Sequence, residues 1–300
     1  MPTTIITGAA GFTARYITAI LRDLGHQVIG MVQRDQSACT NCNGSFVADL
    51  LDQNGLAAAF EEFQPDHVVH LAAIAQVNHA DVAMMYATNI VGTRNLLDGL
   101  RSLNKTPQSI LLASSANIYG NIGGIIDEDM IPIPSNDYGV TKLAMESVAS
   151  IYGDSLPLII SRPFNYTGVG QSEAFLIPKI IAAARRRQRQ IMLGNLDVAR
   201  DFSDVRCVAD HYVRLLLEPS AVGETVNVCS GKTTTLRDLI VLVEKLSDNR
   251  FEIIFDPKLS RTGEVKCLQG NADKLARLIG PLKSIPLDDT LDWMLSTPNS

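Results

Sequence analysis

A short glycine-rich turn near the N-terminus constrains the fold of this chain more than any other feature. Before it, Thr4 to Thr7 is a short β-branched run, and after it apolar residues recur at helical spacing from Ile17 to Leu24. The order strand, glycine turn, helix is typical of the first unit of a parallel α/β sheet.

Segments of the two kinds continue to alternate through the first half of the chain. Strands are predicted at residues 26–32, 66–71 and 109–113, and helices at residues 56–63, 84–103 and 138–152. Strands separated by helices imply right-handed crossovers, which predicts a doubly wound parallel sheet with helices on both faces.

Beyond residue 161 the pattern loosens into longer loops, a basic helical stretch over 177–189 and short strands such as 225–229. We therefore predict a first domain at residues 1–161 and a smaller α/β substrate lobe at residues 162–300. The boundary is left open, because no Ser/Gly-rich linker separates the halves and later segments can return to the main sheet.

Composition excludes several classes of protein. With 46% hydrophobic residues the chain is a globular protein, and a net charge of −6 gives it no general attraction for nucleic acid or anionic lipid. The basic run Arg185–Arg189 has no interleaved aromatic residues and is interpreted as a solvated helix face rather than a nucleic-acid site. No apolar run approaches the length of a membrane span and no signal peptide precedes the first strand, so we expect a cytoplasmic protein.

The five cysteines are an odd number scattered through a long chain, which favours reduced thiols over a disulfide framework. Cys39 and Cys42 do form a CxxC motif. A zinc or redox site there would need a second ligand pair or a thioredoxin-like context, and the sequence has neither. We therefore interpret this pair as loop cysteines.

The glycine turn fits a dinucleotide. It runs Gly8-Ala9-Ala10-Gly11-Phe12-Thr13-Ala14, so that small residues let the backbone approach a pyrophosphate at the N-terminus of the first helix. No GxxxxGK[ST] motif is present, which argues against a P-loop enzyme.

The end of the second strand indicates which dinucleotide is bound. It carries no acidic residue to hold a ribose 2′-hydroxyl, and Arg34 follows it, so NADP(H) is favoured over NAD(H). The alternative, that Arg34 is only a solvated loop charge beside Asp35, stays open. Asp49 and Leu50 are placed to meet the adenine edge of the cofactor.

A phenol and an ammonium lie four residues apart at Tyr138 and Lys142, on one face of the predicted helix. A nearby Lys⁺ stabilises a phenolate and lowers the pKa of the tyrosine toward the range useful for acid–base catalysis. Ser114 and Ser115 directly follow the fourth strand, at the carboxyl edge where parallel sheets place their active sites.

Six motifs occur in the order found in one enzyme family. They are Gly8-x-x-Gly11, His70-Leu71-Ala72-Ala73, Asn89-x-x-Gly92-Thr93, Ser115 with Tyr119-Gly120, Tyr138 with Lys142, and Arg162-Pro163-Phe164-Asn165. Together they resemble the extended short-chain dehydrogenase/reductases that modify nucleotide sugars, and the resemblance covers nearly the whole chain.

The resemblance implies a Rossmann-type domain that binds NADP(H), followed by a lobe that holds a nucleotide sugar. By motif match Ser115 would hydrogen-bond the sugar oxygen, Tyr138 would exchange its proton, and Lys142 would bind the nicotinamide ribose. It also implies a homodimer through the helices at 84–103 and 138–152, although sheet packing explains their apolar faces equally well. The cofactor contacts expected are Gly8, Ala10, Gly11, Phe12, Thr13, Arg34, Asp49, Leu50, Leu71, Ala72, Ala73, Asn89, Tyr138, Lys142 and Pro163.

The branch of the family follows from two further comparisons. Relatives that are 4,6-dehydratases carry an acidic residue after the catalytic hydroxyl, where this chain has Ala116 and Asn117, so dehydration is disfavoured. The C-terminal motifs resemble GDP-sugar enzymes, in particular those that reduce GDP-4-keto-6-deoxy-D-mannose to GDP-D-rhamnose. In that pattern Arg200 and Arg261 would clamp the diphosphate. The other substrate contacts expected are Ser115, Asn117, Asn165, Lys179 and Glu264.

We therefore expect NADPH-dependent reduction of the C4 ketone of a GDP-linked 4-keto-6-deoxyhexose, with no metal ion. Three alternatives stay open: a nucleotide-sugar 4-epimerase, a 4,6-dehydratase-like enzyme with bound cofactor, and a non-catalytic NADP-binding regulator. The segment 74–82 is shorter than in relatives, which leaves the hexose open, and His79 within it is either a substrate contact or a solvated loop residue.

Overall fold

Fourteen strands and ten helices form in the part of the chain that the computed structural model describes, residues 1–33, 39, 41–76, 79–257 and 265–297. The strands are β1 (Thr3–Thr7), β2 (Gln27–Val32), β3 (Gly44–Val47), β4 (His67–His70), β5 (Ser109–Ala113), β6 (Gly124–Ile126), β7 (Leu158–Pro163), β8 (Asn165–Thr167), β9 (Gln190–Leu193), β10 (Ala199–Asp204), β11 (Thr225–Val228), β12 (Thr233–Thr235), β13 (Glu252–Phe255) and β14 (Cys267–Gly270). The helices are α1 (Phe12–Asp23), α2 (Gln53–Phe63), α3 (Val82–Tyr86), α4 (Gly92–Arg101), α5 (Asp137–Ser150), α6 (Leu176–Arg185), α7 (Val205–Leu217), α8 (Leu236–Ser247), α9 (Asp273–Ile279) and α10 (Leu287–Ser296).

Seven parallel strands make the main sheet, in the order β3-β2-β1-β4-β5-β7-β11. The predicted doubly wound, Rossmann-type sheet is confirmed. The strand order reverses direction between β1 and β4, and in such sheets a ligand binds at the carboxyl ends of the strands beside this switch point.

Helices cover both faces of this sheet. On one face α1, α7 and α9 share an apolar core with the sheet, and on the other α2, α4 and α5 do so. The central strands are buried on both sides; Ile5 and Ile6, for example, lie back to back in the two cores and are fully buried. This burial explains why the strands have nearly continuous apolar sequences.

The helix predicted over residues 84–103 is interrupted. The chain forms α3, then a π-helical turn at Ala87–Val91, then α4. The extra residue in this turn accompanies the buried side chain of Asn89, whose amide bonds to the backbone of Ile74 instead of to solvent. Single π turns of this kind are frequent at functional sites.

A second region carries a mixed sheet in the order β12-β10-β14-β6, with β8 paired to β10, and a two-stranded sheet of β9 and β13. Helices α6, α8 and α10 pack together on it around their own core. The predicted boundary at residues 161 and 162 falls inside β7. Beyond it, β11 joins the main sheet and α7 packs against α1, so later segments do return to the first region.

The expectation of reduced thiols is wrong for one pair. Cys39 and Cys42 are joined by a disulfide, because the hydrogen bond from the Cys42 N–H to the Cys39 carbonyl closes a turn that brings the two side chains together. They pack over Gly30, where a Cβ atom would lie 2.9 Å from the Cys42 sulfur. Cys207, Cys229 and Cys267 are free thiols.

Within the described ranges, no helix is long and apolar enough to cross a membrane. The same residues contain no group of three or more His, Cys, Asp or Glu side chains placed to hold a metal ion.

Candidate active site

The turn between β1 and α1 forms a cradle made of backbone. Gly8 has a φ of 67°, and a Cβ atom on it would lie 3.0 Å from the backbone of Ala72. Gly11 precedes α1 and gives no side-chain cap to its first N–H groups. Free N–H groups at a helix N-terminus bind anions, so the residues present fit the pyrophosphate of a dinucleotide.

Two side chains predicted at the cofactor, Phe12 and Thr13, tie this turn to the second region. The Phe12 ring stacks on Tyr166, with centroids 6.1 Å apart and planes 11° from parallel. The Thr13 hydroxyl lies 2.9 Å from the Tyr166 hydroxyl. Nothing in the sequence pattern singles out Tyr166, because its partners are more than 150 residues away along the chain.

The loop after β4 carries Leu71, Ala72 and Ala73 and is held by a buried histidine. The Thr7 hydroxyl accepts the Ala72 N–H at 3.1 Å and donates to His70 Nδ1 at 2.8 Å. His70 Nε2 donates to Thr93, 3.0 Å away, since the Thr93 hydroxyl gives its own hydrogen to the Asn89 carbonyl. Burial, with Lys142 nearby, lowers the pKa of His70 to about 3, so the ring is neutral and fixed in one tautomer.

Asn89 was predicted as a cofactor contact, and its side chain is 1% exposed. Its oxygen accepts the Ile74 N–H, and its nitrogen donates to the Ile74 carbonyl and to the Thr141 hydroxyl. Thr141 in turn donates to the carbonyl of Tyr138. The Asn89 side chain thus links the loop after β4 to the helix that carries Tyr138.

Asp49 and Leu50, which were predicted at the adenine edge of the cofactor, lie in different surroundings. Asp49 follows β3 and accepts the Leu51 N–H at 2.9 Å. Leu50 is 4% exposed and packs its side chain into the core beside Gly92, while its carbonyl accepts from Asn95. Arg34 lies outside the described residues.

Tyr138 and Lys142 lie one turn apart on α5, as predicted. The Lys142 ammonium donates to the Ala113 carbonyl at 2.7 Å and lies 5.9 Å from the centroid of the Tyr138 ring. Burial lowers the pKa of Lys142 to about 8, although the carboxylate of Glu146 acts in the opposite direction. Burial raises the pKa of Tyr138, although a hydrogen bond with Ser115 acts to lower it.

Ser115 lies two residues beyond the end of β5 and caps a 3₁₀ turn at Ala116–Tyr119. Its oxygen accepts from the backbone and from the side chain of Asn117, at 3.1 and 3.0 Å. Three predicted catalytic groups, Ser115, Tyr138 and Lys142, therefore meet at the carboxyl edge of the sheet.

A buried polar network that no sequence pattern predicted lies behind these groups. Glu146, one turn beyond Lys142, accepts from Ser114 and forms two hydrogen bonds with Arg162, at 3.1 and 2.7 Å. Arg162 also donates to the Tyr119 hydroxyl, which donates to Asn227. The spacing of Lys142 and Glu146 on one helix is a signal that predicts their proximity; the long-range partners have none.

A cavity of about 90 Å³ opens beside Ser115. The two regions of the molecule line it together, with Asn117, Pro163, Asn165 and Arg200 among its walls. The guanidinium of Arg200 donates to the carbonyls of Ala199 and Val265 at 2.9 and 2.8 Å. A cavity lined by both a cationic side chain and the Ser115 hydroxyl suits an anionic substrate.

The strand that bears Arg200 is anchored by its neighbour Asp201, which was also missed. The Asp201 carboxylate is fully buried and accepts the backbone N–H groups of Ser230, Gly231 and Gly270. Burial raises the pKa of the Asp201 carboxyl, although these hydrogen bonds act to lower it. Asn165 donates to the Asp201 carbonyl at 3.2 Å.

Of the remaining substrate predictions, Lys179 falls within the described residues and does not lie at this cavity. Lys179 lies on α6, donates to the Met192 carbonyl at 2.9 Å and is absent from the described walls of the cavity. Arg261 and Glu264 lie outside the described residues.

Comparison with known proteins identifies the family of this chain. Residues 4–229 match the family described as the NAD dependent epimerase/dehydratase family. The GDP-6-deoxy-D-mannose reductase of Pseudomonas aeruginosa is 34% identical over 83% of this chain and 84% of its own. The GDP-6-deoxy-D-talose 4-dehydrogenase of Aggregatibacter actinomycetemcomitans is 30% identical over 92% of this chain and 90% of its own.

Two solved structures have the same fold. A putative epimerase from Burkholderia cenocepacia superposes with a TM-score of 0.92 at 45% identity, covering 98% of this chain and 97% of that one. The structure of RMD from Pseudomonas aeruginosa complexed with NADPH superposes with a TM-score of 0.82 at 30% identity, covering 99% and 97%.

Proposed function

Since this chain belongs to the NAD dependent epimerase/dehydratase family, we propose that it is an NADPH-dependent oxidoreductase that reduces the C4 ketone of a GDP-linked 4-keto-6-deoxyhexose. The observation that carries the proposal is the meeting of Ser115, Tyr138 and Lys142 beside a cavity that also contains Arg200. A hydroxyl donor, a proton donor and a cation near the phenol are the groups that reduction of a ketone requires.

The glycine cradle and the N-terminus of α1 would hold the pyrophosphate of the cofactor, and Lys142 would bind its nicotinamide ribose. When bound, NADPH supplies the hydride that the carbonyl carbon accepts. The choice of the phosphorylated cofactor is supported by the NADPH complex of the Pseudomonas aeruginosa relative and by Arg34 after β2.

Tyr138 gives its proton to the oxygen at C4 as negative charge develops there, and Ser115 hydrogen-bonds the same oxygen. Burial raises the pKa of Tyr138 and so keeps the phenol protonated at neutral pH. The ammonium of Lys142 stabilises the phenolate that remains after the transfer. Lys142 must be charged for this role, and its pKa of about 8 keeps it mostly protonated at neutral pH.

Elimination of water would require an acid or base next to the catalytic serine. Ala116 and Asn117 stand there and neither can exchange a proton at neutral pH. The chemistry therefore ends at the transfer of a hydride and a proton at C4.

The GDP-sugar assignment is supported by the names of two relatives. 6-Deoxymannose and 6-deoxytalose differ only in configuration at C4, so both arise from one 4-keto sugar by hydride delivery to opposite faces. Arg200 would bind the substrate diphosphate from the wall of the cavity, with Arg261 as its predicted second clamp and Asn165, Lys179 and Glu264 as further predicted contacts.

A homodimer is also proposed. Large apolar side chains are exposed on the two helical stretches expected to form it, with Met84 45%, Val91 48% and Ile151 69% exposed. Their burial in a subunit interface would remove apolar surface from water. Sedimentation equilibrium of the purified protein measures the mass, and a monomer at micromolar concentration contradicts this proposal.

The function is tested with purified protein and GDP-, UDP- and dTDP-linked 4-keto-6-deoxyhexoses. We expect NADPH oxidation, followed by absorbance, with the GDP sugar, and a single C4 configuration in the product by NMR. Tyr138→Phe should lower turnover by about a hundredfold or more, because proton transfer is lost.

Two outcomes would contradict the proposal. Interconversion of C4 epimers without net NADPH consumption would make the protein an epimerase, as the Burkholderia cenocepacia structure is described. Undiminished turnover by Tyr138→Phe would remove the assigned role of the phenol.

A further inference from the structure

The oxygen of Ser115 has both of its acceptor positions filled by one residue. The backbone N–H of Asn117 donates to it at 3.1 Å, and the side-chain nitrogen of Asn117 donates at 3.0 Å. A serine hydroxyl has two acceptor positions and one donor hydrogen. Ser115 can therefore meet any further partner only as a donor.

The side-chain amide of Asn117 is itself oriented from the N-terminus of α5. The Gly139 N–H donates to the oxygen of Asn136, the residue that caps this helix, at 2.9 Å. The Asn136 nitrogen then donates to the Asn117 oxygen, 3.4 Å away. This leaves the Asn117 nitrogen for Ser115.

The helix cap sets the donor-to-acceptor direction of this series of hydrogen bonds. An amide side chain can be turned end for end, and its orientation is normally assigned from its partners. Here the first partner is a backbone N–H, which can only donate. The helix cap therefore fixes the orientation of Asn136, then that of Asn117, and finally the direction of the Ser115 hydroxyl.

We propose that Asn136 and Asn117 are positioning residues that hold the Ser115 hydroxyl as a permanent hydrogen-bond donor toward Tyr138 and the reacting oxygen at C4. The kinetic part of this inference rests on the proposed reduction. The orientation part concerns the enzyme without substrate and stands independently.

A Ser115 hydroxyl held in this orientation would stabilise the transition state of the reduction. Negative charge develops on the C4 oxygen as hydride arrives, and donors already aimed at that position stabilise it without reorganising. A carboxylate at position 117 would instead accept the Ser115 hydrogen and turn it away from the substrate. Asparagine and aspartate have nearly the same shape, so this exchange inverts the hydrogen bond and leaves the packing in place.

The first test is a double-mutant cycle with Asn117→Asp and Ser115→Ala. We expect Asn117→Asp alone to lower kcat about 10- to 100-fold, with KM for the sugar changed less than threefold, since the lost donor acts mainly in the transition state. In the Ser115→Ala background the same substitution should change kcat by less than about threefold. Equal losses in both backgrounds would show that Asn117 acts directly on the substrate and overturn the inference.

Asn121→Asp is the matched control for charge. Asn121 is exposed, accepts only a 3.4 Å hydrogen bond from Ser135 among the contacts described, and has no described contact with Ser115. Because Asn121 also lines the cavity beside Ser115, the substitution places a carboxylate there, and we expect its effect on kcat to be independent of Ser115. NADPH binding by fluorescence checks that every variant retains the folded cofactor site.

The second test needs no substrate. The titration of Tyr138 is followed by NMR of ¹³Cζ-labelled tyrosine in the NADP⁺-bound protein, with the resonance assigned from Tyr138→Phe. A serine that donates to the phenolate lowers the pKa of Tyr138, so Asn117→Asp should raise this pKa more in the Ser115 protein than in the Ser115→Ala protein. Equal shifts would contradict the inference.

The two tests separate the two proposals. A Ser115-dependent shift without reduction of any GDP-4-keto sugar would refute the proposed function and support the positioning role. Reduction with an additive cycle and equal shifts would do the reverse.

Discussion

The helix that carries Tyr138 and Lys142 is held at its two ends by polar networks of different kinds. Toward its C-terminal end lies an ion pair, Glu146 with Arg162, whose side chains are 8% and 9% exposed. At its N-terminal end lies a chain of neutral amides from Asn136 to the catalytic serine.

The ion pair and the amide chain contribute different things to the protein. The buried carboxylate of Glu146 acts against the lowering of the Lys142 pKa by burial, and it holds Arg162 in place. Loss of either Glu146 or Arg162 would leave an uncompensated charge in the interior. Neutral amides add little charge and determine instead which way a hydrogen points. We therefore expect changes in the ionic network to appear mainly as lost stability, and changes in the amide chain mainly as lost turnover.

The largest effect is expected from Glu146→Ala. Arg162 would remain buried without its carboxylate, and breaking a buried pair in this way costs about 3–5 kcal/mol. The free energy of unfolding in urea measures the loss. Glu173→Ala is the control, because its pair with Arg186 has side chains that are 39% and 58% exposed, and exposed pairs contribute about 0–1 kcal/mol. Similar losses of stability in both variants would show that the buried ion pair contributes no more than the exposed one.

Burial of Lys142 makes the free energy of unfolding depend on pH. Its pKa falls from the usual 10.5 to about 8 on folding, so between these values the unfolded chain binds more protons and stability rises with pH. Relative to Lys142→Met, the wild-type protein should gain on the order of 3 kcal/mol between pH 8 and 10.5. The measurement is urea unfolding of both proteins across this range, and a difference that does not vary with pH would show that Lys142 is not desolvated.

Tyr119→Phe tests the neutral edge of the ionic network. The Tyr119 hydroxyl accepts from Arg162 at 2.9 Å and donates to Asn227 at 2.9 Å. Its removal leaves one donor and one acceptor without this partner, which costs about 1–3 kcal/mol. Because Tyr119 is fully buried and is not among the described residues that line the cavity, we expect kcat to change by less than about threefold. A large fall in kcat with unchanged stability would place this hydroxyl in the reaction instead.

Sequence patterns predicted the parts of this molecule that depend on local spacing. Five of the seven strands of the main sheet follow from short apolar runs, namely β1, β2, β4, β5 and β11, whereas β3 and β7 were not predicted. The shared face of Tyr138 and Lys142 follows from their separation by one helical turn. The position of Ser115 followed from the rule that parallel strands end at one edge.

The parts that were missed depend on distant pairing. Tyr119 and Asn227 are 108 residues apart, and Thr13 and Tyr166 are 153 apart, so no periodicity predicts their contact. The π turn at Ala87–Val91 was missed because it arises from a tertiary contact of Asn89 inside an otherwise helical pattern. The Cys39–Cys42 disulfide was mispredicted because cysteine count and spacing do not reveal the turn that closes it.

The smallest effect on stability, and the sharpest separation of the two networks, is expected from Asn136→Ser. Serine also caps helices well, so the unfolding free energy should change by less than about 0.5 kcal/mol. The side-chain nitrogen that orients Asn117 is lost, and kcat should fall severalfold with KM unchanged. Thr235→Ala is the matched control: Thr235 caps α8 and accepts the Asp238 N–H at 3.0 Å, so its loss should cost about 1 kcal/mol and leave kcat unchanged. If Asn136→Ser lowers stability as much as Thr235→Ala and spares kcat, Asn136 is a helix cap alone and the amide chain does not orient Ser115.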